Sequence, residues 1–471
     1  MSLFDILFRP AHEIAADVRA RRVSARDVTE AALDAIDALD GTLNAFTDVT
    51  AERAISEANR IDAAVIAGRA PPLAGVPYAV KNLFDIEGVV TRAGSKINRS
   101  HAPAGADASL VTAMQRAGAV LIGGVNMGEY AYDFTGENVH DGASLNPHDP
   151  SRMSGGSSGG SGTAVASGMV ALSLGSDTNG SIRVPSSFCG LYGLKPTFGR
   201  LSRARTFPFV ASLDHLGPIA RAPRDLALAF DALQFPDPDD LHQSPHPPLD
   251  TVGVLGRGVE GLRIAVAGGY FRAQAGKEAL AAVEHVARAL GVSREVELPE
   301  VHRARAAAYV ITTSESAALH LARLQSRAGD FDPDTRDRFL SGAMVPAAWY
   351  IAAQRFRTWF RAEMATLFEG VDVILAPATP FPALPSGTKE VELAGIRVPA
   401  RPNIGIFAQP ISFVGLPVVA VPVWLGGAAL PIGVQVIAPA WREDIALRVA
   451  EALHQAGATA APVAALRLQG A

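Results

Sequence analysis

The chain has 471 residues, 48% of them hydrophobic, so it is long enough to bury a large core. A formal net charge of −5 gives no electrostatic reason to expect nucleic acid or an anionic membrane as a partner. Cys189 is the only cysteine, which excludes an intrachain disulfide and favours a reducing compartment, the cytoplasm.

Apolar spacing predicts helices and strands in alternation. Ser24 followed by Asp27 is typical of a helix start, and apolar residues continue at helical spacing as far as Leu39. A second helix is predicted over 107–117. Buried strands are predicted at 76–80, 119–123, 262–268 and 371–378. This alternation predicts the α/β class, with a sheet layered between helices.

Proline-rich stretches bear on the domain organisation. Residues 235–248 form the clearest break, but this break is too short to separate two independent halves. We therefore expect one domain over 1–471, with a possible insertion or loop boundary near 235–250. Residues 416–440 are uncharged, yet their prolines and glycines divide them into strand-length pieces, so no transmembrane helix is expected. The first ten residues do not resemble a secretory signal.

The segment RMSGGSSGGSGTAVASG, residues 152–168, has three possible interpretations before its surroundings are considered. A flexible linker is disfavoured because the segment continues directly into small and apolar residues. A phosphate-binding loop would need a Lys and Ser/Thr, or the dinucleotide spacing of glycines, and both are absent. The G-x-S-x-G nucleophile elbow follows an apolar strand, whereas this segment follows polar residues with two prolines.

Two further segments change the interpretation. One is GSDTNGSIRVPSSFCGLYGLKPT, residues 175–197, and the other is LAGVPYAVKNLFDIEG, residues 73–88. Together with the glycine-serine segment, they resemble the amidase signature family of serine hydrolases. The resemblance implies a large mixed twisted sheet covered by helices on both faces. It also implies hydrolysis of an amide C–N bond with release of ammonia and without a cofactor.

The resemblance assigns catalytic roles to three residues. Ser181 is expected to be the nucleophile, Ser157 a bridging serine after a cis peptide bond, and Lys81 the base. These residue types suit the chemistry, because a serine hydroxyl needs a neighbouring base and Ser-Lys arrangements supply one. Lys81 directly follows an apolar strand, and only five of the 42 basic residues are lysines. A lysine base has to be neutral, so its pKa must be lowered by burial.

The same resemblance implies an oxyanion hole at Thr178, Asn179 and Gly180, continuing to Ser181. Many relatives have glycine where Asn179 stands, and Asn tolerates positive φ well enough for the hole to persist. Asn82 is a second departure, since many relatives carry Asp after the lysine. We expect Asn82 to alter the electrostatic surroundings of Lys81.

Four segments resemble the family branch that releases ammonia from carboxybiuret, a small acidic ureide: AGSKINRS (93–100), GSDTNGSIRVP (175–185), DRFLSGAMVPAAWYIAAQRFR (337–357) and RPNIGIFAQPISFVGLP (401–417). Candidate substrate-binding residues are Tyr132 and Asn179, with Arg205 or a protonated His215 as the cation for a substrate carboxylate. The alternative enzyme is a glutaminase-type subunit of a tRNA-dependent amidotransferase. A non-catalytic scaffold is the alternative from another class. Both enzyme branches imply a small helical accessory subunit, and an oligomer is expected.

Two other groups of residues carry weaker signals. Cys189 lies between Phe188 and Gly190, where a small buried hydrophobe is more common than a nucleophile. His242 and His246 have the spacing of metal ligands on a helix, but the surrounding prolines exclude a helix there. No metal site and no cofactor are therefore expected.

Overall fold

The computed structural model describes residues 3–465, and its centre is a mixed sheet of eleven strands. The strands run in the order β1-β3-β2-β4-β6-β5-β12-β13-β9-β7-β8, and β10 pairs with β11 in a separate hairpin. The strands are β1 (Phe46–Val49), β2 (Pro77–Lys81), β3 (Val120–Val125), β4 (Leu172–Asp177), β5 (Tyr192–Lys195), β6 (His215–Ala220), β7 (Ile264–Ala267), β8 (Glu295–Val296), β9 (Val373–Pro377), β10 (Glu390–Leu393), β11 (Ile396–Pro399), β12 (Val418–Val423) and β13 (Ile432–Ile437).

Helices cover both faces of this sheet. Every residue of the central strands β2, β3, β4, β6, β12 and β13 is buried. Successive side chains of a strand point to opposite faces, so complete burial requires cover on both. The helices are α1 (Leu3–Leu7), α2 (Ala11–Arg19), α3 (Ala25–Leu43), α4 (Ala51–Ile66), α5 (Ser109–Arg116), α6 (Gly159–Ala166), α7 (Arg183–Phe188), α8 (Pro223–Leu233), α9 (Tyr270–Ala273), α10 (Lys277–Ala289), α11 (Val301–Arg327), α12 (Pro333–Ala343), α13 (Ala347–Glu369), α14 (Ala400–Asn403), α15 (Gln409–Val414) and α16 (Glu443–Gln455).

The predicted α/β class with a large mixed sheet is confirmed. At the predicted helix start, the Ser24 hydroxyl accepts from the backbone N–H of Asp27, and the Asp27 carboxylate accepts from the Ser24 N–H. This reciprocal cap satisfies two donors that a helix start leaves unpaired. Each of the four predicted strands overlaps an observed one, β2, β3, β7 or β9.

The proline-rich stretches form loops and strands. Residues 234–251 contain neither helix nor strand and join α8 to the rest of the chain, while the eleven-stranded sheet takes strands from both sides of this loop. Residues 416–440 form the antiparallel pair β12 and β13. Within residues 3–465, no helix is long and apolar enough to cross a membrane.

The glycine-serine segment forms the buried helix α6, which packs against β2 and β4. Glycine is required in this helix by close backbone contacts. A Cβ atom at Gly160 would lie 2.5 Å from the backbone nitrogen of Asn126 and 2.6 Å from the carbonyl oxygen of Ala45. The glycines of this segment therefore allow a helix to pack closely against neighbouring backbone. The segment is a packed part of the core and not a flexible linker.

Candidate active site

Lys81 lies at the carboxyl end of β2, between the parallel strands β3 and β4. Because parallel strands end at the same edge of a sheet, Lys81 is brought beside the end of β4. Its Nζ atom lies 2.7 Å from Ser157 Oγ and 2.8 Å from Ser176 Oγ. The side chain is fully buried. The amine therefore has two hydroxyl partners and no carboxylate in direct contact.

Burial is the dominant influence on this amine. It lowers the pKa of Lys81 to about 7, although the negative charges of Asp177, Asp214 and Asp133 act in the opposite direction. Burial therefore favours the neutral form of Lys81 far more than in an exposed lysine. A neutral amine can accept a proton from a hydroxyl, which an ordinary charged lysine cannot do.

Ser157 follows a cis peptide bond from Gly156 and is fully buried just before α6. The backbone leading to it packs against the start of α7, since a Cβ atom at Gly155 would lie 2.9 Å from Cα of Pro185. Ser181 lies four residues before Pro185 and is 2% exposed. The structure thus brings Lys81 and Ser157 into direct contact, and it packs the Ser157 loop against the segment that follows Ser181.

Asp177 organises the loop that carries Ser181. Its carboxylate accepts hydrogen bonds from the backbone N–H groups of Gly180 at 2.7 Å and Ile182 at 3.2 Å. Arg183 donates to both carboxylate oxygens, at 3.0 and 2.9 Å, and both side chains are fully buried. Burial would raise the pKa of Asp177, but the charge and hydrogen bonds of Arg183 outweigh it and hold the pKa below its ordinary value.

The residues of the predicted oxyanion hole have different partners in the structure. The Gly180 N–H donates to Asp177 at 2.7 Å, and the Thr178 hydroxyl donates to Asp214 Oδ1 at 2.6 Å. Within residues 3–465, the backbone N–H groups of Asn179 and Ser181 have no acceptor. Asn179 and Ser181 thus have unpaired N–H groups, and Gly180 between them has a φ of 136°.

Ser181 lines a narrow cavity of about 10 Å³. The polar residues that line it come from five separate parts of the chain: Tyr132, Asp133, Thr178, Asn179, Tyr309, Thr312, Arg338 and Gln409. Asn179 Nδ2 donates to Thr312 Oγ1 at 2.9 Å, which orients the amide. Within residues 3–465, Asn179 Oδ1 and the Tyr132 hydroxyl are buried without a hydrogen-bond partner. Two polar atoms are thus left for a ligand.

The two cations predicted for a substrate carboxylate are not in this cavity. The Arg205 guanidinium is paired with Asp239 at 2.9 Å on the surface and does not line the cavity. His215 is buried, with Nδ1 3.0 Å from the carbonyl oxygen of Asp177. Burial, with the charge of Lys195, lowers the pKa of His215 well below its ordinary value, so its ring is neutral.

Arg338 is the cation that lines the cavity instead. Its guanidinium donates to the carbonyl oxygen of Tyr132 at 2.8 Å and lies 3.5 Å from the centre of the Tyr132 ring. It forms no ion pair with any carboxylate of residues 3–465. Arg338 is therefore a half-buried positive charge that faces the nucleophile without an anion of its own.

The side chain of Asn82 bonds to Thr47 and to the backbone of Gly94. Nδ2 donates to Thr47 Oγ1 at 3.1 Å, and Oδ1 accepts from the Gly94 N–H at 3.1 Å.

Cys189 is buried with its thiol 3.2 Å from the carbonyl oxygen of Ser154, and burial raises its pKa. No group of His, Cys, Asp and Glu within residues 3–465 has a metal-binding arrangement.

A sequence model of the amidase family matches residues 27–447. The chain belongs to the amidase family. It is 55% identical over 447 residues to the AtzE subunit of 1-carboxybiuret hydrolase from Pseudomonas sp. (strain ADP), a match that covers 94% of this chain and 98% of that protein. A glutamyl-tRNA(Gln) amidotransferase subunit from Geobacter sp. (strain M21) is 34% identical over 480 residues, 96% of this chain and 97% of that protein.

A solved structure with 54% sequence identity superposes with a TM-score of 0.95 over 96% of this chain and 99% of the other. It is described as an unexpected vestigial protein complex that reveals the evolutionary origins of an s-triazine catabolic enzyme. The family and these relatives identify this amidase as a hydrolase that acts on carbon–nitrogen bonds other than peptide bonds.

Several residues of the site carry no clear signal in the sequence. Ser176 and Asp177 are the exceptions with some signal. They lie within the segment that resembles the family, at the end of a buried strand, where polar residues indicate a functional site. Thr312 and Arg338 lie on helices far along the chain and reach the cavity only through tertiary packing. Arginine is also too common in this chain for one residue to be singled out.

The buried pair of Asp177 and Arg183 is open to a stability test. Asp177→Asn leaves the Arg183 charge buried without its partner, so unfolding should become easier by about 3–5 kcal/mol. Asp239→Asn removes the carboxylate of the exposed pair with Arg205 and should cost at most about 1 kcal/mol. Urea unfolding of both variants measures the difference. Equal losses of stability would contradict the structural role of Asp177.

Proposed function

We propose that the protein hydrolyses a small carboxylated ureide of the 1-carboxybiuret type, with release of ammonia, through a covalent intermediate on Ser181. The observation that carries the mechanism is the fully buried Lys81 amine, hydrogen-bonded to Ser157 at 2.7 Å. The sequence relationship supports the substrate, because identity to the carboxybiuret hydrolase is 55% and identity to the amidotransferase subunit is 34%.

In the first half-reaction, neutral Lys81 accepts the proton of Ser157, and Ser157 takes the proton of Ser181. The hydroxyl of a serine can donate and accept at the same time, which suits Ser157 to this relay. Ser181 Oγ attacks the substrate carbonyl carbon, and the N–H groups of Asn179 and Ser181 stabilise the oxyanion. The C–N bond then breaks, and the proton held by Lys81 returns through Ser157 to the departing nitrogen, which leaves as ammonia.

In the second half-reaction, a water molecule replaces the amine. Lys81 and Ser157 take one proton from this water as it attacks the carbonyl carbon of the acyl-enzyme, which is a carbamoyl-enzyme for a ureide. Collapse of the intermediate breaks the bond to Ser181 Oγ and returns the proton to that oxygen. The cycle consumes one water and leaves the enzyme in its starting protonation state.

The polar cavity supports the proposed substrate class. A ureide offers several N–H donors and carbonyl acceptors, and Asn179 Oδ1 and the Tyr132 hydroxyl are two atoms that need such partners. Arg338 supplies the positive charge for a carboxylate, in place of Arg205 and His215. An apolar amide would leave these groups unpaired, which lowers its affinity.

We also infer a cytoplasmic location from the single, reduced cysteine.

The pH dependence of activity tests the role of Lys81. Because only the neutral amine accepts a proton, kcat/KM should rise as the pH increases through about 7 and then level off. Lys81→Arg keeps a charge that cannot be removed, so its kcat should fall by a factor on the order of 1000 or more. The kcat of Ser181→Ala should fall by a similar factor, and the kcat of the double variant Lys81→Arg/Ser181→Ala should fall little further. A pH-independent kcat/KM, or an active Lys81→Arg enzyme, would contradict the proposal.

The substrate preference tests the role of Arg338. Arg338→Met should lower kcat/KM for carboxybiuret by roughly 10–100-fold, which is the usual effect of losing a charged hydrogen bond. The kcat/KM for uncharged biuret should change less than about threefold. Arg338→Lys is the matched control and should retain part of the discrimination. Rates of ammonia release give both values, with glutamine included as the alternative substrate. If glutamine is the best substrate, the ureide assignment is wrong.

We further propose that a short acidic helical subunit binds the chain, which makes the active form an oligomer. The candidate surface is the exposed face of α12 and α13, formed by Met344, Trp349, Ile351, Arg355 and Trp359. No aspartate or glutamate occurs from residue 338 to 362, so this face is apolar and positively charged. An amphipathic helix with acidic edges is complementary to it. The vestigial complex described for the similar solved structure supports a partner.

Co-purification from the native host tests this surface. Native mass spectrometry of the tagged chain should show a stoichiometric short acidic polypeptide, which Trp349→Glu should remove because a charge replaces a central aromatic contact. Ile396→Glu is the matched control, since Ile396 is 65% exposed and Trp349 63% exposed, but Ile396 lies on the separate β10–β11 hairpin. Absence of such a polypeptide, or equal loss in both variants, would contradict the proposal.

A further inference from the structure

The buried carboxylate of Glu129 lies outside the catalytic cluster and has four hydrogen-bond partners. Oε1 accepts from Ser95 Oγ at 2.9 Å and contacts His140 Nε2 at 3.0 Å. Oε2 accepts from the Asp332 N–H at 2.8 Å and from Thr335 Oγ1 at 2.6 Å. The side chain is fully buried. The mechanism proposed above uses none of these groups.

The two oxygens of Glu129 face different parts of the protein. Oε1 is bound to loops that pack on the sheet, whereas Oε2 is bound to the start of α12. A negative charge at a helix N-terminus is also favourable because of the helix dipole. Glu129 therefore fixes the first turn of α12 to the body of the domain.

This attachment is continuous with the substrate cavity. Thr335 lies three residues before Arg338, so the two side chains lie on neighbouring positions of one helix face. Phe339, the next residue of α12, contacts the rings of Tyr130 and Tyr132 with centroids 6.3 and 5.2 Å away. A shift of the first turn of α12 would therefore move Arg338 and Phe339 relative to Tyr132.

The chain between Glu129 and Tyr132 is also held in an unusual conformation. Tyr130 and Ala131 have φ values of 48° and 61°, in the left-handed region that residues with a side chain rarely occupy. Such conformations persist only where the surroundings impose them, and they occur often at functional sites. Glu129 precedes this turn, and the Arg338 contact with the Tyr132 carbonyl follows it.

We propose that Glu129 is a positioning residue for substrate specificity, acting through Thr335 and the first turn of α12 to hold Arg338 against Tyr132 in the cavity. This inference rests on the proposed function, since it assigns Arg338 to the substrate carboxylate. Glu129 touches neither the nucleophile nor the cavity, so its contribution is to KM for the charged substrate and not to the proton relay.

Thr335→Val is the most selective test, because it removes only the hydroxyl that reaches Glu129 and keeps the shape of the side chain. KM for carboxybiuret should rise about 5- to 30-fold, within the usual effect of losing a hydrogen bond to a charged group, with kcat changed less than about twofold. KM for uncharged biuret should be unchanged. Thr335→Ser retains the hydroxyl and should behave as the wild-type enzyme.

A double-mutant cycle with Arg338→Met shows whether the effect passes through Arg338. Thr335→Val should add no further increase in KM once Arg338 has been removed, because the two residues act as one unit. Additive effects, an equal rise in KM for biuret, or an unchanged KM in Thr335→Val would overturn the inference. Glu129→Gln is the second variant. The fraction of this variant that folds should show the same selective rise in KM for carboxybiuret.

The cycle also separates this inference from the function on which it rests. If Arg338→Met leaves KM for carboxybiuret unchanged, the assignment of Arg338 to the carboxylate fails and the inference fails with it. If Arg338→Met raises KM selectively and Thr335→Val does not, the proposed function stands and only the role of Glu129 is overturned.

Discussion

A lysine amine enclosed by protein must either lose its charge or approach an anion, and Lys81 is placed so that it does the former. Its two direct partners are the serine hydroxyls of Ser157 and Ser176, and the nearest carboxylates act on it without direct contact. If Asp177 contacted the amine, the ammonium form would be stabilised and the base lost. The buried Arg183 occupies both oxygens of Asp177, so this carboxylate bonds to the guanidinium and not to the amine.

The sheet determines this arrangement. β2 lies between β3 and β4, all three parallel, so Lys81 and the loop after β4 meet at one edge. The substrate cavity is completed by long helices from the second half of the chain, which bring Thr312 and Arg338 to that edge. The residues of the proposed proton relay thus lie on the sheet and its loops, whereas those of the proposed substrate site include residues of helices that pack against it.

The sequence predicts the parts of this site that depend on local pattern. Lys81 was predictable because an apolar strand ends at a lysine in a chain with few lysines, within a segment that resembles the family. Arg338 lies in residues 337–357, which resemble the carboxybiuret branch, but the sequence does not single it out because its contact with Tyr132 depends on how α12 packs. Arg205 is a candidate from sequence because it lies near the signature segment in the chain, and in the structure its guanidinium pairs with Asp239 on the surface. The short strand β8 and the hairpin β10–β11 also lack the apolar runs that made the longer strands visible.

The neutral state of Lys81 can be measured directly, because five lysines in 471 residues give few signals. The chain is labelled with 13C at the lysine ε-carbon, and the signal of Lys81 is identified by its absence from Lys81→Met. The chemical shift of this carbon reports the charge of the amine as the pH is varied. The account predicts a midpoint near 7 for Lys81. A midpoint close to the ordinary lysine value of about 10.4 would contradict a lysine base in this amidase.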